Sequence, residues 1–325
     1  MIVCRSLTIG KKNTVNTKLI KLCNNNPQRS PRIFEKEKRV MAEKIIIASD
    51  STSDLSPELI ERYGIRILPL GITLGGKTYT DGLDVDPDMI YDVYEKTGEL
   101  PKTSAVNIST FEEFFAEYTK DGYSIVLFTI SSDMSSTFRH AQLASEDLEN
   151  VYVVDTRNLS TGGGLLVISA AEMANEGKSP AEIAKACEDL AKCVDASFVI
   201  DSLEFLYKGG RCSAVAAAGA AVLGLKPCIG VKDGKMGVGK KYRGKFDKVL
   251  SQYVSDRVGN GDGIRKGHIF VTHAGCEPEI YEACVEELKA LGCFDEIHIT
   301  RAGCTISSHC GRNTLGVLFI RETPI

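Results

Sequence analysis

Residues 123–144 read YSIVLFTISSDMSSTFRHAQLA, and the fold turns on how that stretch divides. Residues 124–130 are apolar and β-rich over strand length, whereas residues 137–144 have helical propensity, with Phe138, Ala141, Leu143 and Ala144 as candidate buried positions. Between them stands Ser131-Ser132-Asp133-Met134-Ser135-Ser136-Thr137, five hydroxyls in seven residues. A loop that leaves the C-terminal end of a strand and opens a helix is where open α/β sheets place ligands. The free N–H groups of the helix start, with Ser and Thr hydroxyls beside them, offer donors without charge and suit a carboxylate or a phosphate. An N-cap cluster with spare serines accounts for the same residues without any ligand.

Outward from this stretch, strand, loop and helix alternate. Residues 45–48 are a continuous apolar β run, followed by SDSTSD at 49–54. Ser56-Pro57-Glu58 opens a helix through Tyr63, Gly64 ends it, and residues 65–74 return as a strand. Residues 75–84 form a turn with a short strand, and Asp86-Pro87-Asp88 starts a helix to about Lys96. Residues 101–104 form an extended hydroxyl-bearing loop, and Ser109 caps a helix over 111–119. A strand at 151–154, a loop at 155–164 and helices over 165–175 and from Ser179-Pro180 to Cys193 follow. The alternation predicts an α/β fold with a Rossmann-like parallel-sheet N-terminal domain at 41–200. Beyond it the rhythm becomes mixed, predicting a second mixed α/β domain at 201–325, with Gly209-Gly210-Arg211 breaking a short helix and small residues filling 214–225.

Composition is that of a globular chain of 325 residues, 43% hydrophobic and 25% charged. Residues 1–40 hold ten Lys/Arg against two Glu, or +8; the remaining 285 residues hold 29 against 41, or −12. That N-terminal extension is read as disordered or not native, and Met41 as a natural start. An acidic body excludes nucleic acid as a partner, since phosphate binding needs a basic face. The eleven cysteines contain no CxxC pair and fit no zinc spacing, so reduced thiols in the cytoplasm and no metal are expected. No apolar run reaches transmembrane length.

Nucleotide fingerprints fail. Gly162-Gly163-Gly164 and Gly237-Val238-Gly239 lack the third glycine of GxGxxG and read as flexible turns, and no GxxxxGK[ST] occurs. Asp50 has no second acid two residues on and reads as a loop hydrogen-bonding residue. Ser135 and His309 raise a Ser/His hydrolase, without a GxSxG elbow. His309 stands in a glycine-bearing loop before the last strand, while His140, His268, His273 and His298 read as structural or surface residues.

Several short pieces then occur in a telling order: Asp50-Ser51-Thr52, Leu68-Pro69-Leu70 through Tyr79-x-Asp81-Gly82, Pro101-x-Thr103-Ser104, Ser135-x-Thr137-Phe138, Asp155-Thr156, Gly209-Gly210-Arg211, Lys226-Pro227 with Asp233-Gly234, and His309-x-Gly311. From Lys44 onward the chain resembles the DegV family, the fatty-acid-binding subunits of bacterial fatty acid kinase. The resemblance implies two α/β domains with one long-chain fatty acid buried between them and no cofactor. It implies ligand-binding roles for Thr103, Ser104, Ser135, Ser136, Thr137 and His309. Arg211 is implied as a contact to the partner or to phosphate. It further implies a carrier with no catalytic residues of its own, which presents the carboxylate to a kinase catalytic subunit in phospholipid metabolism, with transient membrane-surface contact compatible. The competing expectation is an enzyme, either a Ser/His acyl-ester hydrolase or a kinase-like protein. Where the family has His-Thr-Gly-Pro-Gly this chain reads His309-Cys310-Gly311-Arg312-Asn313, which adds a cation beside His309.

Overall fold

The computed structural model describes residues 44–213 and 224–325. The expectations for residues 1–40, and for the small residues at 214–223, lie outside the described residues. Strand β1 (Ile45–Asp50) is apolar throughout because both its faces are covered; all but its first residue are buried. It pairs in parallel with β2 (Arg66–Leu68) on one side and with the 124–129 strand on the other. Helix α1 (Pro57–Tyr63) joins β1 to β2 as expected, with the Ser56 side chain accepting from the Leu59 N–H and left-handed Gly64 ending it.

The single strand expected over 65–74 is two strands in different sheets. Pro69 has no N–H to continue a ladder, so the chain breaks between β2 and β3 (Gly71–Leu74). β3 pairs antiparallel with β4 (Lys77–Thr80) and, after helix α2 (Pro87–Thr97), with β5 (Lys102–Ser104). Thr103 therefore stands on a strand rather than in a loop. Helix α3 (Ile108–Thr119) is capped by Asn107, not Ser109; Asn107 Oδ1 accepts from the Thr110 N–H at 2.9 Å, and Ser109 merely donates its hydroxyl to the same oxygen.

Strand β6 (Ser124–Thr129), helix α4 (Thr137–Ala144) and strand β7 (Val151–Asp155) complete a parallel sheet of order β2-β1-β6-β7. Phe111, Phe115 and Ala141 of α3 and α4 cover one face against Ile125 and Leu127. Helices α5 (Thr161–Asn175) and α6 (Pro180–Leu190) cover the other. Gly162-Gly163-Gly164 is not the expected turn but the first turn of α5, buried throughout. A Cβ on Gly164 would lie 2.8 Å from the Ser53 carbonyl oxygen, so close approach to the β1 loop requires glycine there.

The chain then enters a six-stranded mixed sheet: β8 (Val194–Ile200), helix α7 (Glu204–Gly209), β9 (Lys226–Lys232), β10 (Lys235–Tyr242), helix α8 (Phe246–Val258), β11 (His268–Ala274), helix α9 (Pro278–Leu291), β12 (Glu296–Arg301), helix α10 (Cys304–Cys310) and β13 (Thr314–Ile320). Its order is β10-β9-β8-β13-β11-β12, with β11 and β12 parallel and the other pairs antiparallel. β8 already belongs to this sheet, so the chain changes sheets before residue 200. α8 and α9 cover its outer face, while α5 lies on its inner face. Ile47, Val126 and Phe128 thus share one hydrophobic cluster with Phe198, Ile229, Phe270 and Leu318. The architecture is α/β, a Rossmann-like parallel sheet followed by a mixed α/β layer. Among the described residues, no helix is long and apolar enough to cross a membrane.

Candidate functional site

The ends of the strands converge on one cavity of about 330 Å³. Its apolar wall includes Leu70, Ile130, Leu159, Phe198, Met236, Ala274, Ala302 and Leu318. Six of the seven residues singled out from sequence line it: Thr103, Ser104, Ser135, Ser136, Arg211 and His309. Thr137 does not. It is fully buried behind the cavity wall, where its Oγ1 lies 2.9 Å from Ser135 Oγ and its N–H donates to the same oxygen at 3.2 Å. A volume at the lower end of the range for small-molecule sites, roughly 300–1,000 Å³, admits one small amphiphile and excludes a macromolecular ligand.

His309 lies in the last turn of α10, not in a loop. Its Nε2 is 2.9 Å from Thr103 Oγ1, joining the six-stranded layer to the three-stranded sheet at the cavity. Its Nδ1 is sealed from solvent and finds no hydrogen-bond partner among the described residues. The Gly-Gly-Arg motif acquires a reason here. A Cβ on Gly209 would stand 2.5 Å from His309 Nδ1, so only glycine lets α7 close on the imidazole. Gly210 takes the left-handed conformation that ends α7, at φ +68°. Arg211 follows at the cavity's edge, exposed to solvent and donating to the Gly209 carbonyl at 2.8 Å. The extra cation, Arg312, turns away from the cavity. Its guanidinium covers Tyr91 of α2 at 4.6 Å from the ring centroid and lies within ion-pair range of Asp88, Asp92 and Glu95.

Burial, with Arg211 adding a smaller effect, pushes His309 from an ordinary value of 6.5 down to about 4. The imidazole is therefore neutral at physiological pH and acts as a hydrogen-bonding group rather than a charge. The unfolded chain takes up this proton near pH 6.5 and the folded chain only near 4. The stabilising contribution is whole above about 6.5 and is lost as pH falls toward 4. NMR of the His309 ring should show neutral-form shifts from pH 8 to pH 5. A titration midpoint near 6.5 would contradict the burial.

Of three buried acids, Asp54 and Asp81 hold the start of α10, and sequence reading gave a role only to the third, Asp50. Asp50 does bond its own loop: its carboxylate accepts from the Thr52 N–H at 3.0 Å and from the Ile130 N–H, at the end of β6, at 2.8 Å. Asp54 accepts from Ser160 Oγ at 2.5 Å and from the Gly303 N–H at 2.9 Å. Asp81 accepts four hydrogen bonds: from the N–H groups of Cys304 and Thr305 at 2.9 and 3.1 Å, and from the hydroxyls of Thr305 and Ser51 at 2.6 and 2.9 Å. It caps the helix that carries His309. The Asp81-Gly82 pair was visible in sequence as part of a turn, but its partners on α10 are more than 220 positions away.

A hydrolase would need His309 to contact a nucleophile and to be oriented by an acid. Ser135 bonds Thr137 instead, Thr103 occupies Nε2, and among the described residues Nδ1 has no acid partner. The arrangement can hold a polar head with neutral donors above an apolar chamber.

A family model described as "Uncharacterised protein, DegV family" matches residues 44–322. A DegV domain-containing protein of Clostridium acetobutylicum is 32% identical over 286 residues, covering 86% of this chain and 99% of its own. A solved DegV-family protein from Thermus thermophilus, described by its fatty acid binding, is 29% identical with a TM-score of 0.79, covering 86% of this chain and 99% of that one. A stearic acid-binding protein from Eubacterium ventriosum is 27% identical with a TM-score of 0.73, covering 86% and 98%.

Proposed function

This chain belongs to the DegV family, and from that premise we propose that it is a fatty-acid carrier, binding one long-chain acyl tail in the cavity. The observation that carries the reading is the cavity itself, an apolar chamber with uncharged hydroxyls and a neutral imidazole in its wall. A tail gains about 0.8 kcal/mol for each methylene buried, so the chamber alone supplies affinity. Thr103, Ser104, Ser135, Ser136 and His309 hold the carboxylate by hydrogen bonds, and Thr137 acts behind the wall by orienting Ser135. The lining draws on residues from both 41–200 and 201–325, which supports the expectation of a fatty acid buried between those two parts.

The finer reading is that the protein is not itself an enzyme but presents the carboxylate to a partner kinase in the cytoplasm, as a step toward phospholipid synthesis. Arg211 supports it. Exposed and, among the described residues, hydrogen-bonded only to its own backbone turn, its guanidinium is free to grip a phosphate or carboxylate.

The test starts with lipid extracted from purified protein, in which mass spectrometry should find a long-chain acid. Thr103→Ala and Ser135→Ala should each weaken its binding about tenfold or more, since a hydrogen bond to a charged group contributes about 1.5–3 kcal/mol. Arg211→Ala should bind normally and be phosphorylated poorly by a cognate kinase. Unchanged titrations for both hydroxyl variants would place the head group elsewhere.

A further inference from the structure

Far along β11 from the cavity, a second cluster of chemistry-bearing side chains lies between the edge of the six-stranded sheet and the helices α1 and α5. In the parallel pairing of β11 with β12, His268 is opposite Glu296 and Phe270 opposite His298. Side chains alternate along a strand, so His268, Glu296 and His298 share one face. His268 Nδ1 is 2.9 Å from His298 Nε2, and Glu296 Oε2 is 3.8 Å from that same Nε2. Among the described residues, these form the one group of three His, Cys, Asp or Glu side chains whose ligand atoms all lie within 4.8 Å of one another.

We propose that His268, Glu296 and His298 form a binding site for a first-row divalent cation, Zn²⁺ by preference, at the edge of the six-stranded sheet. Two imidazoles and one carboxylate are a ligand set that zinc accepts, leaving one position for water. The surrounding contacts are those a metal site needs. His268 Nε2 is 3.0 Å from Glu172 Oε1 of α5, so its N–H donates to a carboxylate and its Nδ1 lone pair faces the other ligands. A carboxylate behind a ligating histidine in this way fixes the tautomer and strengthens the ligand. Glu296 is held in turn by a bidentate fork from Arg62 of α1, at 2.6 and 2.7 Å.

Charge and geometry both permit the cation. Glu172 and Glu296 together outweigh the single guanidinium of Arg62. With bonds of about 2.0–2.1 Å, tetrahedral ligands stand about 3.4 Å apart. The nitrogen pair need open by only about half an ångström and Glu296 Oε2 close on His298 Nε2 by about as much, and every pair of ligand atoms already lies within 4.8 Å. With His268 Nδ1 bare, His298 donates through Nε2 in the metal-free pair. On binding, that proton moves to Nδ1 of the same ring and Nε2 takes the metal. Glu296 is partly exposed, with 35% of its side chain accessible, which gives the ion an entry path. Bound there, the metal would tie the edge strand β12 to β11, and through Glu172 and Arg62 to the two helices.

The test is titration of the full chain with zinc chloride by calorimetry, followed by X-ray absorption of the loaded protein. One equivalent should bind, with nitrogen and oxygen neighbours at about 2.0–2.1 Å and no sulfur at about 2.3 Å. His298→Ala should weaken binding at least ~100-fold, and Glu172→Gln about 10–100-fold, the effect usual for a group behind a ligand. Failure of the wild-type chain to bind an equivalent would overturn the proposal, as would sulfur neighbours from the cysteines or unaltered binding by His298→Ala. Should His298→Ala not fold, the absorption spectrum of the wild-type chain and the Glu172→Gln titration still decide the matter.

Discussion

Asp81→Ala should lower stability by about 4 kcal/mol and abolish fatty-acid binding at temperatures where the variant remains folded. The carboxylate is buried, and its removal strands four donors: two N–H groups at the start of α10 and the hydroxyls of Thr305 and Ser51. Each unsatisfied buried donor costs about 1–3 kcal/mol, and partial relaxation keeps the total below the sum. Binding suffers through geometry rather than contact. With its cap gone, α10 no longer holds His309 against Thr103, and the head-group donors separate. Asp81→Asn keeps one acceptor oxygen but turns an NH₂ toward the remaining donors, so an intermediate loss is expected. Urea unfolding with parallel fatty-acid titration checks both effects. A midpoint close to wild type together with intact affinity would show that α10 is positioned by packing alone.

Ala274→Phe should reduce affinity for a long-chain acid about 100-fold or more while leaving shorter acids far less affected. Ala274 is buried at the end of β11 and lines the cavity. A phenyl ring there occupies space that several methylenes of the tail would fill, each worth about 0.8 kcal/mol, and four of them exceed two decades in affinity. Overpacking itself costs typically ~1–3 kcal/mol, so the folded fraction must be followed alongside. Ala274→Val, whose side chain is intermediate in size, should fall between. The informative measurement is affinity against chain length: the optimum shifts to shorter acids in the order Ala, Val, Phe. An unshifted optimum would mean that the tail runs elsewhere.

Residue by residue, legibility follows how local each cause is. The parallel sheet was readable because β1, β6 and β7 are short apolar runs, each followed by turn residues and helix starts such as Ser56-Pro57 and Ser179-Pro180. The serine loop was readable as a helix opening at a strand end. It was harder to see that 65–74 is two strands, although Pro69 carried the signal. The glycines at 162–164 were misread because a helix's first turn and a flexible turn look alike in sequence. What separates them is the backbone of Ser53, more than a hundred residues away. His268 and His298 read as structural or surface residues because their common face exists only through the register of β11 with β12.

By itself, the sequence determined the alternation of elements, the α/β class and the hydroxyls and imidazole available to a head group, since each follows from periodicity, caps and residue chemistry within a few positions. Tertiary structure decided which of those groups face one space. It put Thr103 on His309 across 206 positions, set Thr137 behind the wall, turned Arg312 onto Tyr91 and α2, and made Asp81 the cap of a helix it never neighbours in the chain. The reason is physical. A hydrogen bond buried from water is strong and obligatory, but its partner is selected by the packing of sheets and helices, which no local pattern encodes.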